Sequence, residues 1–73
     1  MIDYRVFYLP SGPLNESNKA IQVGVGYYGD LTIRSRIWLP KSQIEIDCSK
    51  KSIKVPKWLL REKVPNGQTI LTL

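Results

Sequence analysis

Apolar residues recur at every second position through most of this chain, and that period constrains the fold more than any other feature. The clearest case is Leu31 to Pro40, LTIRSRIWLP. There Leu31, Ile33, Ile37 and Leu39 fall on one side of an extended strand, and Thr32, Arg34, Arg36 and Trp38 fall on the other. Only Ser35 interrupts the apolar side. One face of such a strand suits a core. The other is basic and carries an aromatic ring, a combination that stacks on bases or anchors a protein interface.

The same period appears elsewhere. Ile2, Tyr4, Val6 and Tyr8 alternate with Asp3, Arg5, Phe7 and Leu9, and Pro10-Ser11-Gly12-Pro13 closes the run, which predicts a strand. A polar loop extends to Lys19. Ala20 to Tyr28 then sets Ile21, Val23 and Val25 against Gln22, Gly24 and Gly26, and Tyr28-Gly29-Asp30 turns the chain into the basic strand. Glycine within a strand marks a bulge or a close approach by another group. Pairing of these two strands therefore predicts either an ordinary twisted hairpin or an open platform, with Gly24 and Gly26 beside Trp38 and the arginines.

Pro40 ends the basic strand, since it cannot donate to a central ladder. Residues 43 to 55 read as a hairpin: Ile44, Ile46 and Cys48 oppose Gln43, Glu45 and Asp47, Ser49-Lys50-Lys51 connects, and Ile53 and Val55 oppose Lys54. Pro56 suits a first helical turn, where its missing N–H costs nothing. PKWLLREK then makes a short helix with Trp58 and Leu59 facing the core, stopped by Val64-Pro65-Asn66-Gly67. Gln68 to Leu73 closes as a strand, Leu71 and Leu73 on one side and Ile70 and Thr72 on the other. The sum is a mainly β domain with one short helix. A small barrel of about five or six strands, or a bent antiparallel sheet, fits it; SH3-like and OB-like modules belong to this class.

At 73 residues the chain makes one small domain. Its single cysteine, Cys48, excludes an intrachain disulfide and is expected as an inert buried thiol in a reducing compartment. Met1 to Leu9 contains Asp3 and Arg5 and does not read as a secretory signal, and no apolar stretch approaches the roughly 20 residues of a membrane helix. Histidine is absent, which removes the commonest general base and metal ligand and with them most hydrolase templates. Glu45 and Asp47 share a strand face without a third oxygen ligand in reach, so no metal is expected; pairing with Arg34 or Arg36 across the sheet accounts for them. Pro40-Lys41-Ser42-Gln43 reads as a tight corner between strands or as a recognition loop. No cofactor is implied.

Charge is uneven. Residues 34 to 63 hold nine cations against three acids, a net +6, while the first 33 residues sum to −1. Such a field attracts a polyanion or an acidic protein surface. The candidate contact residues are Arg34, Arg36, Trp38, Lys41, Lys50, Lys51, Lys54 and Lys57. Each has a plainer reading: Trp38 as a half-buried strand residue covering the core, and the lysines as a solvated turn and face.

RIWLPKSQIEI (Arg36 to Ile46) and IKVPKWLLREK (Ile53 to Lys63) resemble a pattern in small proteins encoded by phages, prophages and plasmids. In that pattern an apolar strand leads into Trp-x-Pro-Lys-Ser-Gln, and Val-Pro-x-Trp-Leu and a short charged helix follow. The resemblance spans residues 20 to 63 and implies a mobile-element setting, hence the cytoplasm of a bacterial host. It transfers no catalytic or binding residues. Two partners are then expected of a non-enzymatic protein of this charge. One is DNA or RNA, held by phosphate contacts and stacking on Trp38; the other is an acidic host protein, blocked in the manner of anti-CRISPR inhibitors.

Overall fold

Two antiparallel sheets pack face to face in the computed structural model, which describes residues 3–72. Chain order is β1 (Tyr4–Tyr8), β2 (Asn15–Glu16), β3 (Ala20–Tyr27), β4 (Ser35–Pro40), a single 3-10 turn (Lys41–Gln43), β5 (Glu45–Asp47), β6 (Ser52–Pro56), α1 (Lys57–Lys63) and β7 (Gln68–Ile70). The first sheet runs β1-β6-β5. The second runs β2-β3-β4, with β7 also paired to β3. The domain is mainly β, as the alternation predicts, but the sheets do not close into a barrel.

The core is aliphatic apart from one ring. Phe7, Leu9, Ile53 and Val55 from the first sheet meet Ile21, Val23, Val25, Leu39 and Ile70 from the second, with Leu59 and Val64 covering one end. Each side chain removed from water there contributes about 1.5–3 kcal/mol. β1 thus buries Phe7 and leaves Tyr4, Val6 and Tyr8 on the outer face. Ile2 and Leu73, assigned to strand faces by pattern, lie outside the described residues.

Several side chains depart from the pattern, each for a local reason. Ser35 lies opposite Val25 in register, and the Arg34 N–H also donates to the Val25 carbonyl at 2.8 Å. Two residues against one is a bulge, and it reverses the parity of everything before it. Leu31 is consequently 68% exposed rather than core, and Ile33 packs on the outer face of β3 against Gly24. A Cβ at Gly24 would meet Ile33 at 3.0 Å, and one at Gly26 would meet the Thr32 carbonyl oxygen at 2.5 Å. Both glycines are buried, so the close approach comes from the chain's own 30–34 segment and leaves no open platform.

Beyond β5 the alternation ends in a turn. The Asp47 carboxylate accepts from the Ser49 hydroxyl at 2.8 Å and from the Ser49 and Lys50 N–H groups, both at 3.1 Å. Cys48 falls inside that turn and is exposed, not buried. Ile46 keeps its inward parity, but the sandwich is open beside β5. A cleft of about 430 Å3 there is lined by Leu9, Ile21, Ile46 and Ile53 together with Cys48 and Lys51, and Ile46 is left half exposed. Trp58 is not core either. A seven-residue helix has room for one buried row, which Leu59 takes, and Trp58, about 100° around the axis, is 42% exposed. In the last segment Ile70 and Leu71 are both buried: Ile70, opposite Val25, faces the core, while Leu71, whose N–H donates to the Gly24 carbonyl at 2.9 Å, lies on the other face of β3 over Gly26.

Candidate nucleic-acid interface

The eight residues picked out by pattern do not form one patch. Arg36 and Trp38 share the outer face of the second sheet, where Trp38 is 43% exposed and sits across from Gln22, itself across from Asn15. Asn15 Nδ2 donates to Gln22 Oε1 at 2.7 Å, so the row carries two amides beside the indole. Arg34 leaves this face because of the bulge. Its guanidinium lies 5.5 Å from the centre of the Tyr27 ring and 3.4 Å from Asp30 Oδ2, at the end of the sheet. Hydrogen bonds, chiefly from the Thr32 N–H, hold the Asp30 carboxyl below the usual carboxylate range. Lys41 Nζ is tied to Glu16 at 2.6 Å across the sheet edge.

The other lysines belong to the first sheet and its neighbours. Lys54 projects from the centre of its outer face, in register with Val6 on one side and Glu45 on the other; Glu45 lies 3.8 Å from its Nζ. Neither Glu45 nor Asp47 reaches Arg34 or Arg36, which stand in the opposite sheet. Lys50 occupies the turn anchored by Asp47, and hydrogen bonding, led by the Ser49 hydroxyl, keeps that carboxyl below its ordinary range. Lys51, with φ of 53°, lines the cleft between the sheets instead. Lys57 is exposed at the first position of α1.

What pattern reading missed on this face is an aromatic ridge. Tyr4, Val6 and Tyr8 stand at alternate positions of β1, and Trp58 joins Tyr4, Pro56 and Glu45 around one depression of about 230 Å3. A second trough of about 620 Å3 runs between Val6 and Tyr8 on one wall and Glu45, Asp47, Lys50 and Lys54 on the other. The three rings are 42–58% exposed. Tyr4 and Tyr8 stand four residues apart along β1, about 13 Å, with Val6 between them, so the two rings are spaced for alternate rather than successive bases of an extended strand. The signal was present in the alternation of Tyr4, Val6 and Tyr8; which face was the core was not.

Lys50, Lys51, Lys57 and Arg36 have no acidic partner among the described residues. No group of three or more potential metal ligands occurs among them, and no helix is long and apolar enough to cross a membrane. Comparison with protein-family models, curated proteins and solved structures returns no match.

Proposed function

We propose that this protein acts by binding rather than catalysis, as a mobile-element accessory protein that takes single-stranded nucleic acid on the outer face of its first sheet. The observation carrying the reading is the ridge of Trp58, Tyr4 and Tyr8, exposed and without a polar partner among the described residues, alongside Lys54 and Lys50. Bases stack on the rings whatever their identity, and the lysines, with Lys57 beside Trp58 in the chain, meet phosphates. A duplex presents no unstacked bases to such a ridge, so single strands bind in preference.

Anisotropy of a labelled oligonucleotide tests this. With three lysines in contact, affinity falls with salt at a log–log slope of about −2; seven cations in contact would give about −5. Tyr8→Ala and Tyr4→Ala each lose about 1–3 kcal/mol of binding, roughly 5- to 150-fold. Trp38→Ala, on the opposite face, leaves affinity unchanged. Loss at Trp38 with retention at Tyr8 moves the site to the second sheet. Absence of binding to DNA and RNA at low salt sinks the reading and favours an acidic host protein as partner.

A further inference from the structure

We infer that two copies of this chain pair through the free edge of β1, joining their first sheets into one continuous six-stranded sheet. β1 is an edge strand with a defined set of unused backbone groups. The Asp3 carbonyl accepts from Lys57 N–H at 2.9 Å and the Leu9 N–H donates to the Lys51 carbonyl at 2.8 Å. By the alternation of an antiparallel ladder, Arg5 and Phe7 also face β6, and Tyr4, Val6 and Tyr8 direct their N–H and C=O groups off the edge. No backbone group of the described residues meets them there.

The remaining edges are guarded in the usual ways. β4 turns Arg36, Trp38 and the donorless Pro40 outward, β5 is three residues long with two acids, β7 is three residues long, and β2 is two residues long. β1 is five residues long with neither proline nor lysine. Its one charge, Arg5, is folded back on its own chain, 5.2 Å from the Phe7 ring centre and 3.1 Å from the Tyr28 hydroxyl.

A second copy is the occupant the register favours. Antiparallel pairing about a two-fold axis at Val6 sets Val6 against Val6, Tyr4 against Tyr8 and Tyr8 against Tyr4, with all three outward residues of each strand hydrogen-bonded. Arg5 then faces Phe7, and the two Arg5 residues are only diagonal neighbours, about 7–8 Å apart. The two Lys54 rows lie three strand spacings apart, about 14 Å, beyond the screening length of about 8 Å at physiological salt. Repulsion between two cationic chains is therefore weak at this seam, and the aromatic ridges of both copies come side by side. The inference stands without the nucleic-acid reading, because its test measures mass.

Sedimentation equilibrium over a range of concentrations should show the mass rising from 8.4 kDa toward twice that value. Amide exchange at Tyr4, Val6 and Tyr8 should slow in parallel, with no change at β4. Val6→Lys places two ammonium groups across the axis and should leave a monomer with unchanged circular dichroism, and Val6→Glu should do the same. Mixing the two variants should restore the dimer. A wild-type protein that stays monomeric throughout, a dimer that survives Val6→Lys, or variants that fail to pair on mixing would each overturn the inference. So would concentration-dependent protection at Arg36 and Trp38 in place of Val6.

Discussion

Replacing Gly26 by alanine tests the packing that removes the open platform. The added methyl would lie 2.5 Å from the Thr32 carbonyl oxygen and 3.2 Å from a Leu71 methyl. Leu71 can shift, but the carbonyl is backbone. It belongs to a segment pinned by the Thr32 N–H donating to Asp30 Oδ1 at 2.9 Å and the Arg34 N–H donating to Val25 at 2.8 Å. Restoring ordinary contact moves that segment by about 1 Å, which costs about 1–3 kcal/mol as overpacking and about 0.5–1.5 kcal/mol for a weakened hydrogen bond. The lower entropy of an unfolded alanine offsets about 0.4–1 kcal/mol. A net loss of about 2 kcal/mol follows, or a fall in Tm of about 10–15 °C for a domain of this size. Gly24→Ala is the matched control. Its nearest neighbours are the flexible Ile33 side-chain carbons at 3.0 and 3.2 Å, so its stability should stay within about 1 kcal/mol of the parent. Thermal and urea denaturation followed by circular dichroism compare the two. No loss at Gly26 would show that the 30–34 segment does not lie on β3, and equal losses at both glycines would refute the distinction between a backbone neighbour and a yielding side chain.

Two further outcomes follow from the described contacts. Trp58→Ala should cost less than about 2 kcal/mol, since nearly half the ring is already in water, while Leu59→Ala, fully buried, should cost about 2–5 kcal/mol in urea titrations; the reverse order would return Trp58 to the core. Asp47 has a native pKa below its ordinary carboxylate value, so its contribution to stability is present above the unfolded value, near pH 4, and is lost as pH falls through the lower native one. Asp47→Asn should flatten the pH dependence of stability in that window, and an unchanged acid limb would refute the turn's dependence on that carboxylate.

The parts of the fold that could be read in advance are those where two signals coincide. Pro56 followed by Val64-Pro65-Asn66-Gly67 bounded α1, and Tyr28-Gly29-Asp30 between two alternating runs marked the β3–β4 hairpin. In β1 the sequence offers two nearly equal faces, Tyr4, Val6 and Tyr8 against Arg5, Phe7 and Leu9, and only the position of β6 and the second sheet decides that Phe7 and Leu9 go in. Ser35 was the visible trace of the bulge, yet a polar residue in an apolar series does not reveal that parity reverses there. The site suffered most. Net charge is a property of composition, whereas a patch requires several elements to present their cations on one side, and Arg36 and Lys54 project from opposite sheets.

Exposure of aromatics does not by itself mark a site in so small a domain. Of the seven aromatic residues, Phe7 alone belongs to the core, and the other six are all substantially exposed. A chain this short buries only about 60% of the surface its unfolded form exposes, and here that interior is aliphatic apart from Phe7. Partnering is what separates them. Tyr27 carries the Arg34 guanidinium, and the Tyr28 hydroxyl accepts from Arg5, a bond that lowers its pKa from the ordinary value near 10. Those rings already serve the fold by fixing the two arginines nearest the sheet ends. Trp38 has an amide row beside it and, on its strand, Arg36, which has no acidic partner among the described residues. Tyr4, Tyr8 and Trp58 make no polar contact within the described residues; Tyr4 and Tyr8 lie with Val6 along a single edge strand, and Trp58 reaches Tyr4 from α1. Lys54 and Lys50 line the trough beside that ridge, with their charged ends in water. Under the proposed function those same lysines are what attracts the polyanion whose bases stack on the rings. Ridge and cations are therefore one surface, and a change that removes either should be felt in what the other binds.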